Sequence, residues 1–166
     1  AVCDNYRIRR CKLYRSAEYR GYQASKHRYF YGLKIHLVVT KEGLPVEFLL
    51  SPGAMNDASL LDQFDFDLPH NAQIIGDKAY NAYLVEDIMA DCNLALMPLR
   101  KQNSKRPRPG WLNYLLATYR KQVETAGSQI ERLLPKHIHA VTPEGFEFKT
   151  ILFVLASTID RLYAFE

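Results

Sequence analysis

The sequence predicts a mixed α/β sheet covered by helices. Three observations carry this. Residues 28–39 (RYFYGLKIHLVV) and 45–50 (PVEFLL) are β-branched and aromatic and flank a short turn, so they read as a hairpin. Two short apolar runs, 73–76 (QIIG) and 94–97 (LALM), flank a segment with helical periodicity. Two long helical patterns then close the chain. The order hairpin, helix, strand, helix, strand, helices fits a sheet with helices packed on it.

Each element has a local reason. Residues 4–27 are polar, basic and tyrosine-rich and read as an irregular arm. Lys41-Glu42-Gly43 is the hairpin turn, with Gly43 free to take positive φ. Pro52-Gly53 breaks the chain before a helix with apolar Leu60, Leu61 and Phe64, where Asn56 and Asp57 are capping candidates. Asp57 reads as a cap rather than a ligand. Asn81 is expected to cap a helix running through Ala90, with Tyr83, Leu84, Ile88 and Met89 as its apolar positions. Residues 98–110 (PLRKQNSKRPRPG) are a basic, proline-rich loop. Leu112, Leu115, Leu116, Tyr119, Val123, Ala126, Ile130, Leu133 and Leu134 then recur at helical spacing until Pro135 stops the helix. The last helix, 144–165, is capped near Thr142 with Pro143 at its first position. Its apolar stripe reads as core or as an oligomer contact.

Composition excludes several classes. A chain of 166 residues is about one domain, and 48% hydrophobic with 24% charged residues is not a disordered tail. The longest apolar run, Ile151–Ile159, is about half a membrane span. Cys3, Cys11 and Cys92 are an odd number with no close pair, which fits a reducing cytoplasm and neither a disulfide framework nor a cysteine zinc site. No leader pattern is seen at the start. The chain opens on Ala1, so either a methionine is removed or this is a fragment.

The net charge of +4 hides a pattern. Residues 1–34 hold nine Lys/Arg against two acids, residues 35–97 two against ten, and residues 98–121 seven against none. Two +7 segments thus flank one of −8. Basic clusters interleaved with Tyr6, Tyr14, Tyr19, Tyr22 and Tyr29 suit a nucleic-acid backbone with aromatics for stacking, and a solvated charged surface is the plainer alternative.

Two carboxylates stand out. Asp77 follows the strand 73–76, at the strand end where α/β sheets place ligands; it equally suits a helix cap or a partner for Lys78. Glu124 lies beside Val123 on the long helix, one turn after Arg120, which is either an ordinary Arg–Glu surface pair or part of a site. Two carboxylates among cations are the minimum for Mg²⁺ at a phosphodiester, and such a site normally takes a third. Lys105-Arg106-Pro107-Arg108 is the best phosphate-contact stretch, its prolines keeping three cations extended. Arg100, Lys101 and Lys78 join it as expected DNA contacts. His36 reads as a packed or hydrogen-bonded strand residue, and His137-x-His139 as a surface contact rather than a metal site.

The segments AVCDNYRIRR (1–10), YFYGLKIHLVV (29–39), LLSPGAMNDAS (49–59), IIGDKAYN (74–81) and YRKQVETAGSQIERLLPK (119–136) resemble bacterial insertion-sequence transposases of the DDE type. The resemblance covers essentially the whole chain. It implies a ribonuclease-H-like fold in which three acids hold two Mg²⁺, with Mn²⁺ as a substitute, for DNA cleavage and strand transfer. It makes Asp77 the second acid and Glu124, 47 residues later, the third, and gives Arg120 a phosphate near the active site. It also implies work as a homo-oligomer on element ends and target DNA, in a bacterial cytoplasm at the nucleoid.

Two departures accompany it. The family carries a tyrosine three residues before the arginine and a lysine seven after the glutamate; here these are Ala117 and Glu131. The family's first acid lies on a first central strand just before the segment matching Ala1–Asp4, and that strand is expected to be largely missing, with Asp4 a poor substitute. The expectations are therefore a truncated DDE catalytic domain over residues 1–166, itself inactive, or else a DNA-binding remnant or a ribonuclease-H-like nuclease.

Overall fold

A computed structural model describes residues 13–23, 27–135 and 138–163. The expected metal substitute Asp4 and the residue His137 lie outside them. Among the described residues six strands and three α-helices follow in order: β1 (Arg20–Gln23), β2 (Arg28–Tyr31), β3 (Leu33–Val39), β4 (Pro45–Pro52), β5 (Gln73–Gly76), α1 (Tyr83–Asp91), β6 (Ala95–Pro98), α2 (Gly110–Leu133) and α3 (Pro143–Tyr163).

Among the described residues the strands form three two-stranded sheets. β1–β2 and β3–β4 are antiparallel and β5–β6 is parallel. The expected hairpin is present, with Ile35 opposite Leu50 and Leu37 opposite Phe48. Its turn closes through Gly43, whose φ of 85° suits a residue without a Cβ. The expected β-α-β order is present too, with Ile74 paired to Leu96.

Four local expectations change. The run 28–39 is two strands rather than one, because Gly32 at φ 149° redirects the chain between β2 and β3. The described part of the arm contains a strand: β1 pairs with β2, with Gly21 opposite Phe30. The helix after Asn56 is a 3-10 helix, Asp57–Gln63; Asn56 caps it by accepting from the Ala58 N–H at 3.0 Å, while Asp57 instead pairs with Lys34 at 2.8 Å. Asn81 does not cap α1. Its side chain is drawn to the Lys78 and Leu99 carbonyls at 2.8 and 2.7 Å, and α1 starts two residues later.

β3 organises the interior. Ile35 and Leu37 pack with Ile130 and Leu134 at the end of α2 and after it, and with Val154 of α3. Val38 joins Ile74, Leu96, Met89 and Tyr80 around the β-α-β unit. Both faces of this strand are thus covered, as in a strand central to its layer. A third cluster joins Tyr14, Leu33 and Phe146, and the Tyr14 hydroxyl donates toward the Pro143 carbonyl at 3.2 Å. α3 is capped as its sequence suggests, the Thr142 hydroxyl accepting from Gly145 N–H at 3.1 Å. No helix among the described residues is long and apolar enough to cross a membrane.

Candidate active site

The buried seam of α2, namely Leu116, Val123, Ala126 and Ile130, fixes the rotation of that helix. α2 crosses both β3 and β5. With Val123 inward, Arg120 and Glu124 fall on the flank nearest the C-terminal end of β5. That end is Gly76, and Asp77 follows it directly.

Arg120 joins the two acids. Its guanidinium lies 2.6 Å from Glu124 Oε1 and 3.8 Å from Asp77 Oδ2. All three side chains are roughly one-third to one-half exposed, so the cluster faces solvent. Asp77 begins the 3-10 turn Lys78–Tyr80 without a side-chain capping bond, so its carboxylate serves Arg120 instead. Glu124 does form the surface Arg–Glu pair that its spacing suggests, and the same arginine also reaches Asp77. Two residues distant in sequence therefore meet at one cation.

Beside this cluster is a cavity of about 510 Å³ between β3 and β5. Val38, Val39, Ile74 and Ile75 line it, with Arg120 and Val123 of α2 above.

The basic loop is held down on α1. Arg100 makes a two-pronged ion pair with Glu86 at 2.7 and 2.5 Å, and both side chains are almost fully buried. The Asn81 amide oxygen accepts from the same guanidinium at 2.9 Å. Arg106 grips Asp87 at 2.6 and 2.8 Å in the open and holds that carboxyl below its usual range. The Tyr83 hydroxyl bonds Ser104 at 2.8 Å and accepts from Lys105 N–H at 3.1 Å, while Arg106 lies 4.9 Å from the centre of its ring. Arg108 donates to the Pro98 carbonyl. Of the expected DNA contacts, Lys78, Lys101 and Lys105 are exposed and form no ion pair among the described residues. Arg100 is sequestered, Arg106 is paired with α1 through Asp87, and Arg108 is bonded within the loop.

Sequence reasoning missed Glu86, Asp87 and Tyr83 as the loop's anchors. The available signal was their placement on one face of α1, at i, i+3 and i+4. His36 is the hydrogen-bonded strand residue its sequence suggests, but its partners were not read from the sequence. His36 bonds the Tyr80 hydroxyl through Nδ1 at 2.6 Å and the Ser51 hydroxyl through Nε2 at 2.8 Å. Burial, with Lys34 adding to it and Asp57 opposing it, pushes the imidazole down to about 4, so His36 is neutral at pH 7.

The family model described as a transposase DDE domain matches residues 1–139, most of the chain. The chain belongs to the DDE transposase family. Searches of curated proteins and of solved structures gave no match. The transposase match ends before α3, although α3 completes the cluster around Ile35 and Leu37. Membership implies a DNA substrate, a polynucleotidyl transferase activity and divalent metal use in general. In this transposase domain, Asp77 and Glu124 are oxygen donors of the type Mg²⁺ takes, an ion commonly held by one or two carboxylates plus water and phosphate oxygens. The guanidinium between them already stands as a cation there. No cluster of three or more potential ligands occurs among the described residues, so a two-metal set is not complete within them.

Proposed function

We propose that this domain performs Mg²⁺-dependent DNA strand cleavage and strand transfer at the ends of an insertion sequence. The observation that carries it is the convergence of Asp77 and Glu124 on Arg120. In this reading Asp77 and Glu124 would hold a metal, whose contribution when bound would be Lewis-acid stabilisation of the reacting phosphodiester oxygens. Arg120 exchanges its carboxylates for a phosphate of the DNA, and Lys78, Lys101 and Lys105 hold the flanking backbone. Arg100, Arg106 and Arg108 shape the loop that presents them. A ribonuclease-H-like sheet is the fold this reading favours.

The second reading is a domain that binds DNA without cutting it. It is favoured by the finding of two rather than three carboxylates at Arg120 among the described residues. One assay separates the readings. The chain is incubated with supercoiled plasmid and Mg²⁺ or Mn²⁺, beside Asp77→Asn and Glu124→Gln. Metal-dependent nicking lost in both variants supports the first reading, and joining of a cut 3′ end to a second duplex distinguishes transposition from plain nuclease action. A plasmid mobility shift without nicking supports the second.

A further inference from the structure

We propose that His36 is a positioning residue, which holds the turn bearing Asp77 against the β3–β4 hairpin through the hydroxyl of Tyr80. This rests on reading Asp77 as a metal ligand.

The argument starts from the separation of the sheets. β3 pairs with β4 and β5 with β6, and no described backbone ladder joins β3 to β5. Asp77 stands just past the end of β5, while Arg120 and Glu124 stand on a helix that crosses both strands. Its position therefore depends on how firmly β5 and the following turn are fixed to β3. Apolar contacts around Val38 and Ile74 are non-directional and leave small shifts cheap. Hydrogen bonds between buried groups do not.

The directional link is His36. It projects from β3, Ser51 from β4, and Tyr80 ends the 3-10 turn that begins after Asp77. All three are at most 2% exposed. The Tyr80 backbone N–H donates to the Asp77 carbonyl at 3.0 Å, so the turn is closed by the same residue whose hydroxyl His36 holds. A path of short bonds thus runs from the β4 strand through the imidazole to the residue that closes the Asp77 turn. A neutral imidazole can give one ring N–H and accept at the other, which matches two hydroxyl partners.

The test uses the chain with Mn²⁺ as probe. Binding is read by electron paramagnetic resonance of the free ion, the turn by hydrogen exchange at the Tyr80 amide, and folding by a cooperative melt. Tyr80→Phe removes only the hydroxyl. His36→Asn keeps a polar atom near the Nδ1 position and His36→Gln one near Nε2, so Asn preserves the bond to Tyr80 and Gln preserves the one to Ser51. Tyr80→Phe and His36→Gln should each weaken Mn²⁺ binding about tenfold, the scale of lost support around a metal ligand, with faster Tyr80 exchange. His36→Asn should stay within about twofold of the parent in both. Unchanged exchange in folded Tyr80→Phe, or equal losses in Asn and Gln variants, overturns the proposal. If exchange responds as expected but Asp77→Asn leaves Mn²⁺ binding unaltered, the tether stands and the reading of Asp77 as a ligand falls.

Discussion

The guanidinium of Arg120 stands 2.6 Å from the carboxylate of Glu124, one helical turn along α2, and its other nitrogen reaches toward Asp77. A cation in that place competes with any metal sought by the same carboxylates. It also becomes available to phosphate once a metal takes them. Two opposite effects are thus expected from one substitution. Arg120→Gln should tighten Mn²⁺ binding while weakening DNA binding, with the slope of log affinity against log salt reduced by about 1. Fluorescence anisotropy over a KCl series and Mn²⁺ titration check this. A loss of both affinities would contradict it.

Glu86 and Arg100 form a pair of a different kind. Both are nearly excluded from solvent, so removing one leaves the other charge buried. Glu86→Ala should cost about 3–5 kcal/mol in urea unfolding. Asp87→Ala, which breaks the exposed pair with Arg106, should move the urea midpoint far less. Similar costs for the two would show that the loop is not anchored through Arg100.

Lys101 and Lys105 have no acid partner among the described residues and face water. Each should contribute one phosphate contact. Lys105→Ala should lower the salt slope of DNA binding by about 1 with no change in melting temperature. Asp87→Ala, which frees Arg106, should raise that slope.

His36 makes stability depend on pH. Its folded value of about 4 lies below the ordinary 6.5, so the unfolded chain binds the extra proton between those values. Stability contributed by the neutral imidazole is therefore complete above about 6.5 and declines as pH falls toward 4. The full difference is about 3 kcal/mol. Urea midpoints from pH 7.5 to 4 should show this fall in the parent and a shallower one in His36→Asn. Parallel curves would place the titrating group elsewhere.

The hairpin, the β-α-β unit and both long helices were legible because their apolar residues recur at the period of their element. β1 was not. Its inward positions are Gly21 and Gln23, so an alternation exists in burial but not in hydrophobicity. The convergence of Asp77 and Glu124 was legible from motif and strand-end placement, whereas the partner they share was only half visible: spacing ties Arg120 to Glu124, and the crossing of α2 over β5 adds Asp77. Arg100 misled for a plain reason. Counting charge treats every cation as solvated, yet this one lies fourteen residues from a glutamate that α1 turns inward. Asn81 misled likewise, since a good local capping residue was claimed by the Leu99 carbonyl and Arg100 across the turn.

The bond from Tyr14 to Pro143 spans 129 residues. With α3 also supplying Val154 and Phe146 to the clusters around β3, the earliest described residues cannot reach their final surroundings until the last helix exists. During synthesis, β3 therefore emerges long before both of its faces can be clothed. Folding of these clusters should wait for α3 rather than proceed stepwise, with the hairpin exposed to association with other chains until then.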